Sequence, residues 1–333
     1  MSRAAGAVPF YFVDVFAASP LTGNPVAVVP DADRLDRSQM QAIAREFNQS
    51  ETAFILAPER PSATVRLRSF TPIGAEVFGA GHNALGCWLW LALAGLLPPE
   101  TIEPGGAADG PAPAPAGAGE VSGIQPGGAA RPGAARPGLA QQIGDDVLPV
   151  RVRREADGSV VVSMGQSPPQ FGDIVTERAA LADALGLTPG DLVADDPAQV
   201  VATGAGHLLV SLRDRAAVDR AVPQPAPLAA ALALAGGEGC YIYTRERPAG
   251  GDAAAYARFF NPAMGIAEDP ATGTAAGPLA ALLVRRGQLE AGPAVIEQGH
   301  ALGRPSRIQV RVSGPSVTVS GSGLISAEGF LRL

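Results

Sequence analysis

The chain has 333 residues, of which 47% are hydrophobic and 17% charged, with a formal net charge of −7; at ~100 to 200 residues per domain that length allows two domains with a core each. All 25 basic residues are arginine, which excludes lysine-anchored pyridoxal phosphate, other Schiff-base chemistry and a P-loop lysine. The arginines are scattered and form no basic stripe for nucleic acid, so a small-molecule partner is expected.

In chain order, Met1 to Pro9 shows no basic start followed by an apolar run, which leads to the expectation of a cytoplasmic location. Phe10 to Val29 reads as two β runs joined by a turn at Ser19-Pro20 and Gly23-Asn24-Pro25, a hairpin in its simplest form. Asp36 to Phe47 has helical spacing in Met40, Ile43, Ala44 and Phe47, and Thr52 to Leu56 returns to strand composition. Thr64 to Ser69 alternates as a half-exposed strand, and a helix is expected from about Asn83. The apolar run Ala84 to Leu97 is shorter than the ~20 residues that cross a bilayer, so it reads as a buried core helix. Pro104 to Ala140 is a Gly, Ala and Pro tract with too few bulky apolar residues to offset the entropy of ordering it, and a disordered insertion is expected there.

Beyond the tract, Leu148 to Arg153, Ser159 to Met164, His207 to Leu212, Cys240 to Thr244, Ala255 to Phe260, Arg307 to Val312 and Val317 to Ser320 read as strands. Ala179 to Leu185, Leu228 to Ala235 and Ala275 to Arg286 read as helices. Cys87 and Cys240 sit in apolar surroundings without a second cysteine at metal or redox spacing and read as core thiols.

Two passages match. Phe70-Thr71-Pro72, Glu76 and Gly81-His82 correspond to Phe260-Asn261-Pro262, Glu268-Asp269 and Gly273-Thr274, each leading into a long apolar stretch. Glu to Gly has the same spacing in both, which puts His82 and Thr274 at equivalent places. The repeat predicts an α+β fold of two halves, residues 1–147 and 148–333, each mostly sheet around one apolar helix. A site between the halves would let two Gly-led helix starts face one bound molecule.

Several residues could act there. Glu51 stands where a polar turn enters an apolar strand: buried, it would have a raised pKa and could give and take a proton, while exposed it would be a solvated turn acid. The helix dipole at His82 favours a neutral ring, although a lone histidine is usually structural. Asp269, Thr272 and Thr274 are equally readable as N-caps or as a site where the Gly273 and Thr274 N–H groups hold a carboxylate while Asp269 orients a polar group. His82, His207 and His300 lack metal-ligand spacing, so no metal site is expected. Gly79-Ala80-Gly81-His82-Asn83-Ala84 fits a dinucleotide fingerprint but lacks the preceding apolar strand, and no G-x-S-x-G supplies a serine nucleophile.

The chain resembles the PhzF-like isomerases of phenazine biosynthesis, relatives of the diaminopimelate epimerase fold. The resemblance rests on Asp14-Val15-Phe16 with Gly23-Asn24-Pro25-Val26-Ala27-Val28, then Ser50-Glu51-Thr52-Ala53-Phe54, the two matched passages, and Gly303-Arg304-Pro305-Ser306. It implies two pseudo-symmetric halves, each a mostly antiparallel sheet rolled around a central helix, with the site in the cleft between them. It implies cofactor-free proton transfer on a small carboxylic acid, with Glu51 as general base and then acid. His82 and Asp269 would position polar groups as its catalytic companions, and Gly81, Asn83, Gly273 and Thr274 would bind the substrate. Thr274 falls where the family commonly has serine, and the added methyl group stiffens the side chain. Neither helix start carries a cysteine, so two-thiol racemisation is not expected. A homodimer is implied, and no membrane or nucleic-acid partner. The competing reading is a small-acid binding protein that keeps the cradles without turnover.

Overall fold

A computed structural model describes residues 7–105, 138–248 and 250–333. The first part of the chain forms β1 (Ala7–Val15), β2 (Asn24–Val29), α1 (Arg37–Phe47), β3 (Thr52–Leu56), β4 (Val65–Phe70), β5 (Glu76–Val77), α2 (His82–Leu93), β6 (Ile102–Pro104), β7 (Leu139–Ile143), β8 (Asp146–Arg154) and β9 (Val160–Gln166). The second forms β10 (Gln170–Ile174), α3 (Arg178–Ala184), β11 (Gln199–Ala202), β12 (Gly206–Ser211), α4 (Arg215–Arg220), α5 (Pro225–Ala235), β13 (Gly239–Thr244), β14 (Ala255–Asn261), β15 (Ile266–Asp269), α6 (Gly273–Arg285), β16 (Gly292–Gln298), β17 (Ser306–Ser313) and β18 (Ser316–Arg332).

Strand pairing explains how one apolar helix is buried on all sides. The order β1-β2-β3-β4-β7-β8-β9-β18 returns to β1, a closed ring of eight strands. It encloses α2, in which every residue from His82 to Ala92 is buried. A helix apolar all round has no stable place except inside such a wall. The order β10-β11-β12-β13-β14-β16-β17-β18 follows the same course around α6 as an open row, with no pairing of β10 to β18 among the described residues. β18 serves both: Ser316–Ser320 pairs with β17, Val317–Ser322 with β9, and Gly323–Arg332 with β1. Parallel pairs β2–β3 and β12–β13 occupy matching places, as do the antiparallel pairs β3–β4 and β13–β14. The expected α+β fold of two pseudo-symmetric sheets around helices is thus present.

The local signals hold where a physical cap backs them. Asp36 accepts from the Gln39 N–H and closes a capping box at the start of α1, while Asn48, at φ 50°, ends it. The hairpin turns through Gly23 at φ 68°, a conformation open to glycine, and a Cβ there would strike the Val15 carbonyl. The expected Ala84–Leu97 helix stops earlier, at Leu93, because Gly95 at φ 69° turns the chain out of it. The ends of the expected insertion are ordered. Pro104 closes β6 and Leu139-Ala140 open β7, each held by ladder pairing to β8, while 106–137 lie outside the described residues. Cys87 and Cys240 are buried, and burial pushes their thiols up, that of Cys240 to about 12. Among the described residues, no helix is long and apolar enough to cross a membrane.

Leu89, 0% exposed within α2, packs in the same apolar core as Trp88 and Val162. Leu89→Ala should cost about 2–5 kcal/mol, read in urea unfolding as a lower midpoint at unchanged slope.

Candidate active site

The two helices begin at the same place. A Cβ added to Gly81 would lie 3.7 Å from Thr274 Cγ2, so the start of α2 and the start of α6 face one another. Beside them opens a cavity of about 460 Å³ lined by Ser50, Glu51, His82, His207, Asp269 and Thr274 among others. Gly81, Asn83 and Gly273 also reach its wall, so all seven residues singled out from sequence share one cavity. The first N–H groups of each helix have no carbonyl a turn below them, which makes both starts suited to an anion.

The matched passages build these starts twice. β4 and β5 pair antiparallel with Phe70 opposite Glu76, and β14 and β15 pair with Phe259 opposite Asp269. The repeat reaches further back than the aromatic-Pro turns. Arg68 grips Glu76 through Nε at 2.7 Å and Nη2 at 3.0 Å, and Arg258 grips Glu268 through Nε at 3.0 Å and Nη2 at 2.7 Å. Each fork ties the strand before the turn to the strand leading to the helix.

Glu51 sits between Asn48, which ends α1, and Thr52, which starts β3. Its carboxyl is largely enclosed, and burial, with the nearby Asp269 charge, pushes its pKa to about 8. Of the two readings of this residue, the exposed turn acid is therefore set aside. His82 Nδ1 lies 3.6 Å from Glu51 Oε2. That is too long for a hydrogen bond, and burial lowers the His82 pKa to about 4, so a neutral ring faces the acid and no ion pair forms. The other ring nitrogen, Nε2, is 3.3 Å from Ser50 Oγ.

Asp269 is 6% exposed, and burial raises it to about 6 against the pull of two donors. Asn24 Nδ2 donates to Oδ1 at 2.9 Å, and Thr272 Oγ1 donates to Oδ2 at 2.5 Å. Gln298 fixes the same turn, donating to the Asp269 carbonyl at 2.7 Å and accepting from the Thr272 N–H at 3.0 Å. Asn24 arrives here because Arg304 holds the hairpin turn, bonding the Gly23 carbonyl at 2.8 Å and Asp14 Oδ1 at 2.7 Å. The first hairpin, the second passage and the Gly303–Ser306 segment thus form one cross-brace.

Two expected contacts take a different form. The Asn83 amide is committed to its own loop: Oδ1 accepts from the Gly81 N–H at 2.8 Å, and Nδ2 donates to Ser69 Oγ at 2.9 Å and the Gly79 carbonyl at 3.1 Å. The Gly81 N–H and both Asn83 amide hydrogens are thus engaged within the loop. Gly273 is closely packed as well, since a Cβ there would come within 3.1 Å of Val319 Cγ1 and 3.4 Å of Phe16 Cζ. His207, whose spacing gave no metal signal, lines the cavity from β12 with Nε2 3.3 Å from Thr274 Oγ1. Nothing in its local sequence marks it, because only the curl of the sheet brings β12 to α6.

A family model described as phenazine biosynthesis-like protein, PhzC-PhzF, matches residues 13–106 and 135–329. The chain is 33% identical over 326 residues to trans-2,3-dihydro-3-hydroxyanthranilate isomerase of Pseudomonas aeruginosa, covering 96% of this chain and 98% of that one. It resembles the crystal structure of a PhzF-family phenazine biosynthesis protein from Bacillus anthracis, with TM-score 0.81 at 23% identity over 98% and 99% of the two chains. A predicted epimerase from Pseudomonas aeruginosa gives TM-score 0.73 at 30% identity over 98% and 99%. The chain belongs to the PhzC-PhzF family, and it is an isomerase.

A buried acid with a raised pKa weakens the fold where it must ionise. Glu51 binds its proton more tightly folded than unfolded, so its contribution is fully present below pH ~4.5 and is lost as pH rises through about 8. Glu51→Gln should therefore raise the unfolding temperature relative to the parent, and the gap should be larger at pH 9 than at pH 5 in calorimetry.

Proposed function

We propose that this isomerase moves a proton along a small cyclic carboxylic acid, with Glu51 taking it from one carbon and returning it to another. The observation that carries the reading is the Glu51 carboxyl, enclosed beside Asp269 and raised to about 8, in the cavity where both helices start. A carboxyl tuned toward neutrality can accept a C–H proton and give it back. As Glu51 takes the proton, the C–H electron pair passes into the substrate's conjugated bonds, and the carboxylate becomes a carboxylic acid. Return of that proton at the far end of the conjugated path restores the enzyme. No electron leaves the substrate, so the balance calls for no redox partner.

Strand register supports a single acid serving both ends. Thr52 is opposite Phe70 and Cys240 is opposite Phe260, so Gly239 holds the place in the second half that Glu51 holds in the first. Glu76 and Glu268 correspond as the partners of Arg68 and Arg258, so Val77 corresponds to Asp269. The halves supply different groups, and the proton leaves and returns on the face that Glu51 covers. His82, neutral and fixed by Ser50, positions the reacting ring, and Asp269 accepts from a substrate amino or hydroxyl group. The Pseudomonas aeruginosa relative is named for a dihydro-hydroxyanthranilate. A ring with adjacent carboxylate and amino groups and a hydroxyl suits these partners, and we assign that class to this cavity. A homodimer belongs to the same reading on the family resemblance alone.

With trans-2,3-dihydro-3-hydroxyanthranilate in deuterium oxide, the parent should incorporate solvent deuterium. Glu51→Gln should lower that rate by about 10²–10⁴-fold with binding largely kept. kcat/KM should rise with pH through an apparent pKa near 8, and Asp269→Asn, by removing the charge that raises Glu51, should move that limb to lower pH. Exchange retained in Glu51→Gln rejects Glu51 as the proton carrier. Tight binding by the parent with no exchange in a broad panel of hydroxy and amino acids favours the binding-protein reading.

A further inference from the structure

We propose that His207 is a positioning residue that holds its proton on Nε2, donates it to Thr274 Oγ1, and so turns the Thr274 hydroxyl into a donor for the substrate carboxylate. The ligand named here rests on the isomerase reading above; the tautomer does not.

His207 is 3% exposed, with Nε2 3.3 Å from Thr274 Oγ1 and its ring edge-on to Phe259 at 5.0 Å between centroids. Its Nδ1 is buried and has no hydrogen-bond partner among the described residues. Burial lowers the ring's pKa to about 4, so one nitrogen carries a proton and the other a lone pair at neutral pH. With the proton on Nδ1, a buried N–H donor would be left without an acceptor. With the proton on Nε2, only a lone pair goes unfilled. Orphaned buried N–H groups are the rarer and costlier of the two, so Nε2–H is the stable form.

That choice settles what Thr274 can do. Its oxygen accepts from His207, so its own hydrogen must point elsewhere, and β-branching leaves the side chain few rotamers. Thr274 lines the cavity at the start of α6, where the backbone N–H groups of Gly273 and Thr274 lack intrahelical acceptors. Three donors on one side of the cavity suit a carboxylate rather than a carboxamide, which would bring its own N–H donors against them. The opposite tautomer would let Thr274 spend its hydrogen on His207 and present only a lone pair. The first half offers a different pairing at the equivalent place, His82 on the helix with Ser50 beside it. The substrate's acidic end is thereby directed to α6.

The direct test needs no substrate. The chain has three histidines, so long-range ¹H–¹⁵N correlation on ¹⁵N-histidine-labelled protein at pH 7, assigned with His82→Gln and His300→Gln, reads the tautomer of His207. The expected pattern is a protonated Nε2 and a bare Nδ1; an Nδ1–H tautomer or an imidazolium overturns the proposal, whether or not the protein turns over any acid. The functional arm uses trans-2,3-dihydro-3-hydroxyanthranilate. His207→Phe, which keeps the ring and loses the donor, should raise KM about tenfold or more, the scale of a hydrogen bond to a charged group, with little change in kcat. His207→Gln, which retains an N–H donor, should recover most of the loss. On a Thr274→Val background, His207→Phe should add nothing further. Equal losses on both backgrounds mean a purely structural histidine and contradict the inference.

Discussion

Two carboxyl groups enclosed in one cavity without a cation dominate this structure. Glu51 and Asp269 both titrate above their ordinary range because burial penalises their charged forms, and the Asp269 charge adds to the penalty on Glu51. The neighbouring acids are treated in the opposite way. Glu76 is paired with Arg68 and Arg37, and Glu268 with Arg258, while among the described residues no arginine pairs with Glu51 or Asp269. The arginine forks secure the frame and leave the adjacent acids unneutralised. Asp269 is raised less than burial alone would raise it, because two hydrogen-bond donors favour its charge.

The sheet makes that enclosure possible. α2 and α6 are each too apolar to lie on a surface, so strands must wrap them, and the two walls share β18 and its pairing with β9. The helices begin where the walls meet, and the Asn24–Asp269 and Arg304–Asp14 contacts lock the first hairpin across that junction. A pseudo-symmetric frame then carries unlike groups at equivalent places: Glu51 against Gly239, Val77 against Asp269, and His82 against Thr274. The frame repeats, and the cleft between its halves is lined by unlike groups at these pairs.

Much of this is legible in the sequence. The matched passages announced two helix starts with polar residues at one position, and those starts do meet, 3.7 Å from a Gly81 Cβ to Thr274 Cγ2. The α1 cap and the strands flanking each passage were equally plain, because local chemistry sets them. What escaped has a common cause. β16 and the second half of β18 have mixed burial along their length, and β10 is mostly exposed, so none shows a clean alternation; their pairing is decided by the wall they complete. Arg68 and Arg258 look like ordinary alternating strand residues, so the arginine forks are not legible in the sequence. The sequence does not show that Asn83 bonds its own loop, with the Gly81 N–H on Oδ1 and Ser69 Oγ on Nδ2. The strand that carries His207 is legible, but its meeting with Thr274 is not, since 67 positions separate the two.

The central claim is a protonation state, so its most direct test is a titration of the Glu51 carboxyl itself. With ¹³C-labelled glutamate and Glu51→Gln to assign the resonance, the side-chain carboxyl of Glu51 should titrate near pH 8 in the ligand-free protein. A midpoint near ~4.5, the ordinary value for a solvated glutamate, would show an acid in free contact with water and contradict the account.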